Sequence, residues 1–169
     1  MVPRKRAIHE AGHAVIGYVL HRGLYGNDNA FHSIVLRERG DERPIVHPIT
    51  GLEISAKDGA VFSTSWPRRP GVINFSAAML LLAVPVAQAK QSRKGLDDLT
   101  LVMDGIGDFT KAYELVGNRR AARERCRRET RRLVNRNWGA ITALADQLQE
   151  RLVLTLDEAR SIIQPLIVE

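Results

Sequence analysis

His9, Glu10 and His13 stand in the order His-Glu-x-x-His, with Ala11 and Gly12 between the glutamate and the second histidine. Two histidines four positions apart on an α-helix lie one above the other on one face, so both rings can reach a single tetrahedral zinc ion at ~2.0–2.1 Å. Glu10 is turned ~100° from His9, which carries its carboxylate toward an open coordination position without making it a ligand. The chemistry of that place is general-base chemistry. Zinc lowers the pKa of a water it holds from about 15.7 to about 7, and a carboxylate at hydrogen-bond distance takes the proton as that water attacks a polarised peptide carbonyl. A five-residue pattern recurs by chance, so its meaning rests on the element that carries it.

That element reads as a helix over 4–21. Pro3 suits a first turn, Ala7, Ile8, Ala11, Val15, Tyr18 and Val19 follow at helical spacing, and Gly23 is expected to stop the run. Ala11, Gly12 and Ala14 leave room for a neighbouring backbone to approach. After the loop GLYGNDNA, the stretch FHSIVLRE (31–38) alternates as a half-buried or edge strand does. Residues 40–75, broken by Pro44, Pro48, Pro67 and Pro70, predict two short strands and long loops. From Val72 the pattern is helical again, with Ala77–Gln91 apolar nearly all round as in a buried helix, and Pro85 expected to kink it. Further helices are predicted at Leu96–Met103, at Asp108–Val116 closed by Gly117, at 119–136 and at 138–151. The last of these places Trp138, Ile141, Leu144, Ala145 and Leu148 on one stripe. Thr155 followed by Glu158 is a capping box for a final helix that Pro165 ends.

A hydrolytic zinc needs a third protein ligand. A third histidine six residues after His13 is excluded, since Ile16 stands where that longer motif has glycine and Val19 where it has histidine. The candidates farther away are His21, His32, His47, Asp97, Asp98, Asp104, Asp108 and Glu114. For His21 the commoner role is to favour a helix C-terminus, and for His32 and His47 it is exposure at the surface.

AIHEAGHAVIGYVL, an isolated strand, LLLAVPVAQ, GDFTKAYEL and NWGAITALADQLQERLVLTLDEARSII, in that order, resemble the peptidase domain of the FtsH family of ATP-dependent zinc proteases. The resemblance covers most of the chain, is strongest at HEAGHA, and leaves 40–75 unmatched. It implies an α+β, predominantly α fold: an FtsH-peptidase-like single domain over 1–169, with a zinc-bearing core (1–116) and a C-terminal helical part (117–169) whose last two helices pack as a hairpin. It implies that the strand after the HExxH helix is an edge to which substrate adds through main-chain hydrogen bonds. It implies Asp108 as the third zinc ligand, with Asp97 or Asp98 as substitutes if the preceding turn brings them inward. Asp108 equally suits the N-cap of a helix over 109–116. The chain departs from the family at Ala83-Val84-Pro85 and at Gln88, where relatives carry an acidic residue. It has no G-x-x-x-x-G-K-[ST] loop, so ATP dependence is not carried over. The expected substrates are peptides or unfolded protein segments, with a separate unfoldase or a dedicated protein partner left open. Family relatives form rings, and an oligomer is left open as well.

Composition sets the outer bounds. A chain of 169 residues, 44% hydrophobic and 26% charged, is sized for one globular domain with its own core. One cysteine, Cys126, excludes an internal disulfide and fits a reducing, cytoplasmic setting; its arginine neighbours place it on a helix surface, with little support for a nucleophilic role. The longest apolar stretch, Ala77–Ala89, is 13 residues with a proline inside, short of the ~20 that span a bilayer, and no signal peptide is read at the N-terminus. The net charge of +6 is concentrated: 117–136 holds nine arginines against Glu124 and Glu129, a balance of +7 that leaves −1 for everything else. The commoner role of such a helix is a solvated face, and the lack of aromatic residues between Tyr113 and Trp138 argues against single-strand nucleic-acid binding, while a duplex-phosphate contact stays open. Trp66 and Trp138 read as packing residues. Three functions are thus expected, in order: a zinc metalloendopeptidase, a regulatory metalloprotease cutting one partner, and a non-catalytic metal-containing or nucleic-acid-binding module.

Overall fold

The computed structural model describes residues 3–25, 31–36, 45–46, 53–54, 59–62, 72–93 and 106–168. Its elements are α1 (Arg4–Tyr25), β1 (Phe31–Val35), β2 (Ile45–Val46), β3 (Glu53–Ile54), β4 (Gly59–Phe62), α2 (Val72–Ser92), α3 (Ile106–Val116), α4 (Arg120–Arg136), α5 (Trp138–Arg151), β5 (Val153–Thr155) and α6 (Leu156–Ile163), with a 3₁₀ turn at Gln164–Leu166. The molecule is predominantly helical, with a small β component. The predicted helix over Leu96–Met103, Trp66, His47, Asp97, Asp98, Asp104 and the side chain of His32 lie outside the described residues.

Helix α1 occupies the middle. Ala7, Ile8, Ala11, Ala14, Val15, Ile16 and Tyr18 are all fully buried, because α2 packs on one side, α5 on another, and β1 and β4 close a third. The helix runs through Gly23 to Tyr25, so that glycine does not stop it; it is exposed, with open space where a Cβ would stand. Its first turn is tied to α5 by Arg4, which donates to Asp146 and to Gln149 at 3.0 Å. Helix α2 crosses α1 at Gly12, where an added Cβ would lie 3.4 Å from the Ala87 Cβ and 3.7 Å from the Ala83 carbonyl oxygen. The small residues on both helices let the backbones approach.

Two apolar clusters share α2. The larger joins α1, α2, α5, α6 and the sheet through residues such as Ile34, Leu36, Ala83, Ala87, Ile141, Leu144, Leu148, Leu154 and Ile163. The smaller gathers Ala78, Met79, Leu82, Ala112 and Cys126 between α2, α3 and α4. Cys126 is therefore an interior residue, contrary to the expectation that its arginine neighbours would keep it at the surface. On α4 the positions facing inward are Cys126, Thr130 and Val134, one side of the helix, and the arginines flank that side.

The expected edge strand is a middle strand. β1 pairs antiparallel with β4 (Ile34 opposite Ala60) and, on its other side, with β5 (Ile34 opposite Leu154), giving the order β4-β1-β5. The Leu36 N–H extends that pairing by donating to the Leu152 carbonyl at 2.7 Å. Both sides of β1 are occupied, so no substrate strand can add to it. The partner that displaces the expectation is a three-residue strand inserted between α5 and α6. Leu152 makes the insertion by ending α5 in the left-handed region (φ 61°). The capping box then starts α6 as predicted: Glu158 N–H donates to Thr155 Oγ1 and Thr155 N–H to Glu158 Oε2. At the α4–α5 corner, buried Asn137 donates to the Leu133 carbonyl and accepts from Val168 N–H at 3.1 Å, which fastens the tail to the helices.

Candidate metal centre

Helix α1 presents His9 and His13 on one face, as the four-residue spacing requires, with ring centroids 5.2 Å apart and planes at 78°. Helix α3 starts at Ile106, two residues before the predicted start, so Asp108 sits inside the first helical turn and not at the N-cap. From there its Oδ2 comes to 3.8 Å from His13 Nε2. One donor atom from each of His9, His13 and Asp108 lies within 4.8 Å of the other two, a grouping able to hold a metal ion. A tetrahedral ion with ligands at ~2.0–2.1 Å needs donors about 3.4 Å apart. The three groups are thus slightly open relative to that geometry and reach it by side-chain adjustment. Glu10 is buried, 6% exposed, and its Oε1 stands 3.9 Å from His9 Nε2, beside the cluster and outside the ligand set.

Helix α2 holds both rings from behind. The Leu80 carbonyl lies 3.2 Å from His13 Nδ1; a carbonyl only accepts, so Nδ1 carries the proton and Nε2 keeps its lone pair toward Asp108. Gln88, buried two helical turns on, faces His9 Nδ1 with its amide at 3.3 Å. The Gln88 Oε1 is buried with no hydrogen-bond partner among the described residues. With the opposite amide orientation Oε1 would accept a His9 Nδ1 proton and leave the His9 Nε2 lone pair facing the cluster, with the amide nitrogen then in the place of the oxygen. His13 is anchored through Nδ1, and Gln88 is placed to do the same for His9. Pro85 lies between the two anchors inside α2 without ending the helix.

Burial sets the charge states. His13 is pushed down from 6.5 to about 4 by desolvation, partly offset by its bond to Leu80, so it is neutral near pH 7. Asp108 is raised above the ordinary carboxylate value by burial, with His9 and Lys111 pulling the other way. A cation among these residues would meet a lone pair that needs no deprotonation and a carboxylate whose ionised form lacks full solvation.

Of the remaining candidates, the two among the described residues, His21 and Glu114, do not join the cluster. His21 is buried on α1 two turns beyond His13, and Glu114 is exposed on α3. Gln88 is the site residue that spacing alone could not select; its only sequence signal was its departure from the acidic residue of the FtsH pattern. The chain matches no protein-family model, and no curated protein matches it.

Proposed function

We propose that the chain is a zinc-dependent metalloendopeptidase of the FtsH-peptidase type, with His9, His13 and Asp108 as ligands and Glu10 as general base. The observation that carries the reading is the meeting of Asp108 with the HExxH face: two helices separated by some ninety residues bring a carboxylate oxygen to 3.8 Å from His13 Nε2. The order of motifs that resembles the FtsH peptidase domain supports it independently. A zinc ion held by these three residues would supply Lewis acidity toward a carbonyl and would lower the pKa of a bound water.

The chain's own residues do the rest. Glu10, nearly buried and adjacent to His9, accepts the proton of the attacking water and returns it to the leaving amine, a role worth ~10²–10⁴ in rate. The Leu80 carbonyl fixes which nitrogen His13 presents, and the Gln88 amide holds the ring of His9 at Nδ1. Peptides and unfolded protein segments are the substrates that fit this reading. An unfoldase or a dedicated protein partner would deliver such segments to the site, and the single free cysteine suits a cytoplasmic setting.

Elemental analysis of the purified chain should find one zinc per molecule, lost in Asp108→Ala. Glu10→Gln should keep the zinc while hydrolysis of an unfolded protein substrate falls at least ~100-fold. A wild-type chain that binds no divalent metal, or an Asp108→Ala chain that binds it as tightly, overturns the proposal.

A further inference from the structure

Helix α4 breaks the rules that stabilise a solvated helix. Its first turn holds no acidic residue and its N-cap, Arg119, makes no side-chain capping bond. Arg119, Arg120 and Arg123 instead crowd the end where the backbone dipole is already positive. Arginines recur at three- and four-residue spacing along its length (120 and 123, 127 and 131, 128 and 132, 132 and 136), an arrangement in which like charges repel across each turn. Glu124 lies 3.5 Å from Arg127 and Glu129 lies 3.6 Å from Arg128, and these two acids are all that 117–136 contains. Arg123 is taken up by the end of α3, donating to the Gly117 carbonyl at 3.0 Å and to Asn118 Oδ1 at 2.6 Å and lying over the Tyr113 ring, but the exposed arginines farther along break local rules in the way expected of functional sites.

The charge is also aimed. At ~100° per residue, Arg120, Arg125, Arg128, Arg131, Arg132 and Arg136 share an arc of about 160°, and all six are exposed. The opposite side is locked by Cys126, Thr130 and Val134, buried against α2 and α3. Arg125 rests over the Phe75 ring at 5.5 Å from its centroid. Arg119, Arg120, Arg131 and Arg132 make no side-chain hydrogen bond or ion pair among the described residues. Seventeen residues at 1.5 Å rise give a rigid rod about 25 Å long.

The composition of that face selects among anionic partners. Its only apolar member is Ala121, so it lacks the desolvated apolar centre on which protein interfaces are built. A helix that lies in a membrane surface inserts an apolar side, and the apolar side of α4 is already spent on the core. Single-stranded nucleic acid is held by aromatic stacking, and no aromatic residue lies between Tyr113 and Trp138. Regularly spaced, planar guanidinium groups on a straight rod match the phosphates of a duplex, which they bind in bidentate fashion without reading bases.

We propose that the exposed face of α4 is a docking surface for the phosphate backbone of double-stranded nucleic acid, independent of base sequence. This goes beyond the hydrolytic reading and does not rest on it. The test uses the full chain treated with chelator, so that failure here says nothing of the metal centre. Fluorescence anisotropy is read with a 24-base-pair DNA duplex and with the RNA duplex of the same sequence, each at 50 and 200 mM KCl. With six phosphates engaged, affinity should fall about 10³-fold between the two salt concentrations, and changing the base sequence should leave it unaltered. The variant Arg120→Gln/Arg131→Gln/Arg132→Gln should bind at least ~10-fold more weakly at 50 mM, with a log–log salt slope shallower by about 3. Its helical circular dichroism and melting temperature should be unchanged or improved, because repulsion has been relieved. Binding by either duplex supports the proposal, and the tighter of the two names the natural form. Absence of binding at 50 mM KCl, equal binding by the triple variant, or tighter binding to polyglutamate or to phosphatidylserine vesicles overturns it.

Discussion

Which nitrogen of each histidine holds a proton is decided by α2, not by α1. Leu80 settles His13 through a backbone carbonyl, which no substitution at residue 80 removes. Gln88 meets His9 Nδ1 through a side chain, so this half of the arrangement can be cut. Replacing the orienting partner of a metal-bound histidine lowers affinity ~10–100-fold. Gln88→Leu, of similar volume in a buried place, should weaken zinc binding by that factor in competition with a chromophoric chelator, whereas Gln88→Glu should retain it. Equal affinity in the leucine variant would show that the amide does not orient His9. At this scale the sequence was legible where spacing along one helix fixes geometry, as for His9, Glu10 and His13. It was silent where a tertiary contact decides, since nothing in the spacing singles out Asp108 from Asp97, Asp98 or Asp104. That choice came from the resemblance in motif order.

Among the elements, the crossing of α1 and α2 governs the site because each helix carries half of it. Gly12 is its closest point. Gly12→Ala brings a Cβ to ordinary van der Waals distance of Ala87 and gains helix propensity, ~0.8–1 kcal/mol, so urea unfolding should show an unchanged or more stable chain. Gly12→Leu must displace Ala83 and Ala87, at a cost of roughly 1–3 kcal/mol, and the opened crossing should lose zinc along with stability. Helix periodicity made α1, α2, α4, α5 and the capped α6 readable in outline. The sheet was not, for a physical reason. β5 is three residues long, too short for any alternation to show, and it is hidden between two helices by a left-handed Leu152. With β5 unseen, β1 looks like an edge. The burial of Cys126 was misread similarly, because adjacent arginines reveal the face of their own positions and not that of the residue between them.

For the molecule as a whole, the buried His13 links folding to acidity. An unfolded chain takes up a proton at this residue near pH 6.5, and the folded chain only near 4. As the pH falls through that window the unfolded state gains protons that the folded state refuses, so stability declines. Asp108 acts in the opposite sense: its raised carboxyl value means that acid favours the folded form at this position, and the benefit disappears as the pH rises through that value. The metal-free chain should therefore show a falling urea midpoint from pH 7 to pH 5, and His13→Gln should flatten the decline. A wild-type midpoint that is level over this range would contradict the stated burial of His13. The core part (1–116) and the C-terminal part (117–169) pack on each other, α5 against α1 and β5 completing the sheet begun by β1. Helix α2 is where these dependencies meet, for it carries Leu80 and Gln88 about 12 Å apart along the axis, with Pro85 between them. One buried helix thus stands behind both imidazoles, and a substitution that shifts it against α1 displaces both contacts together.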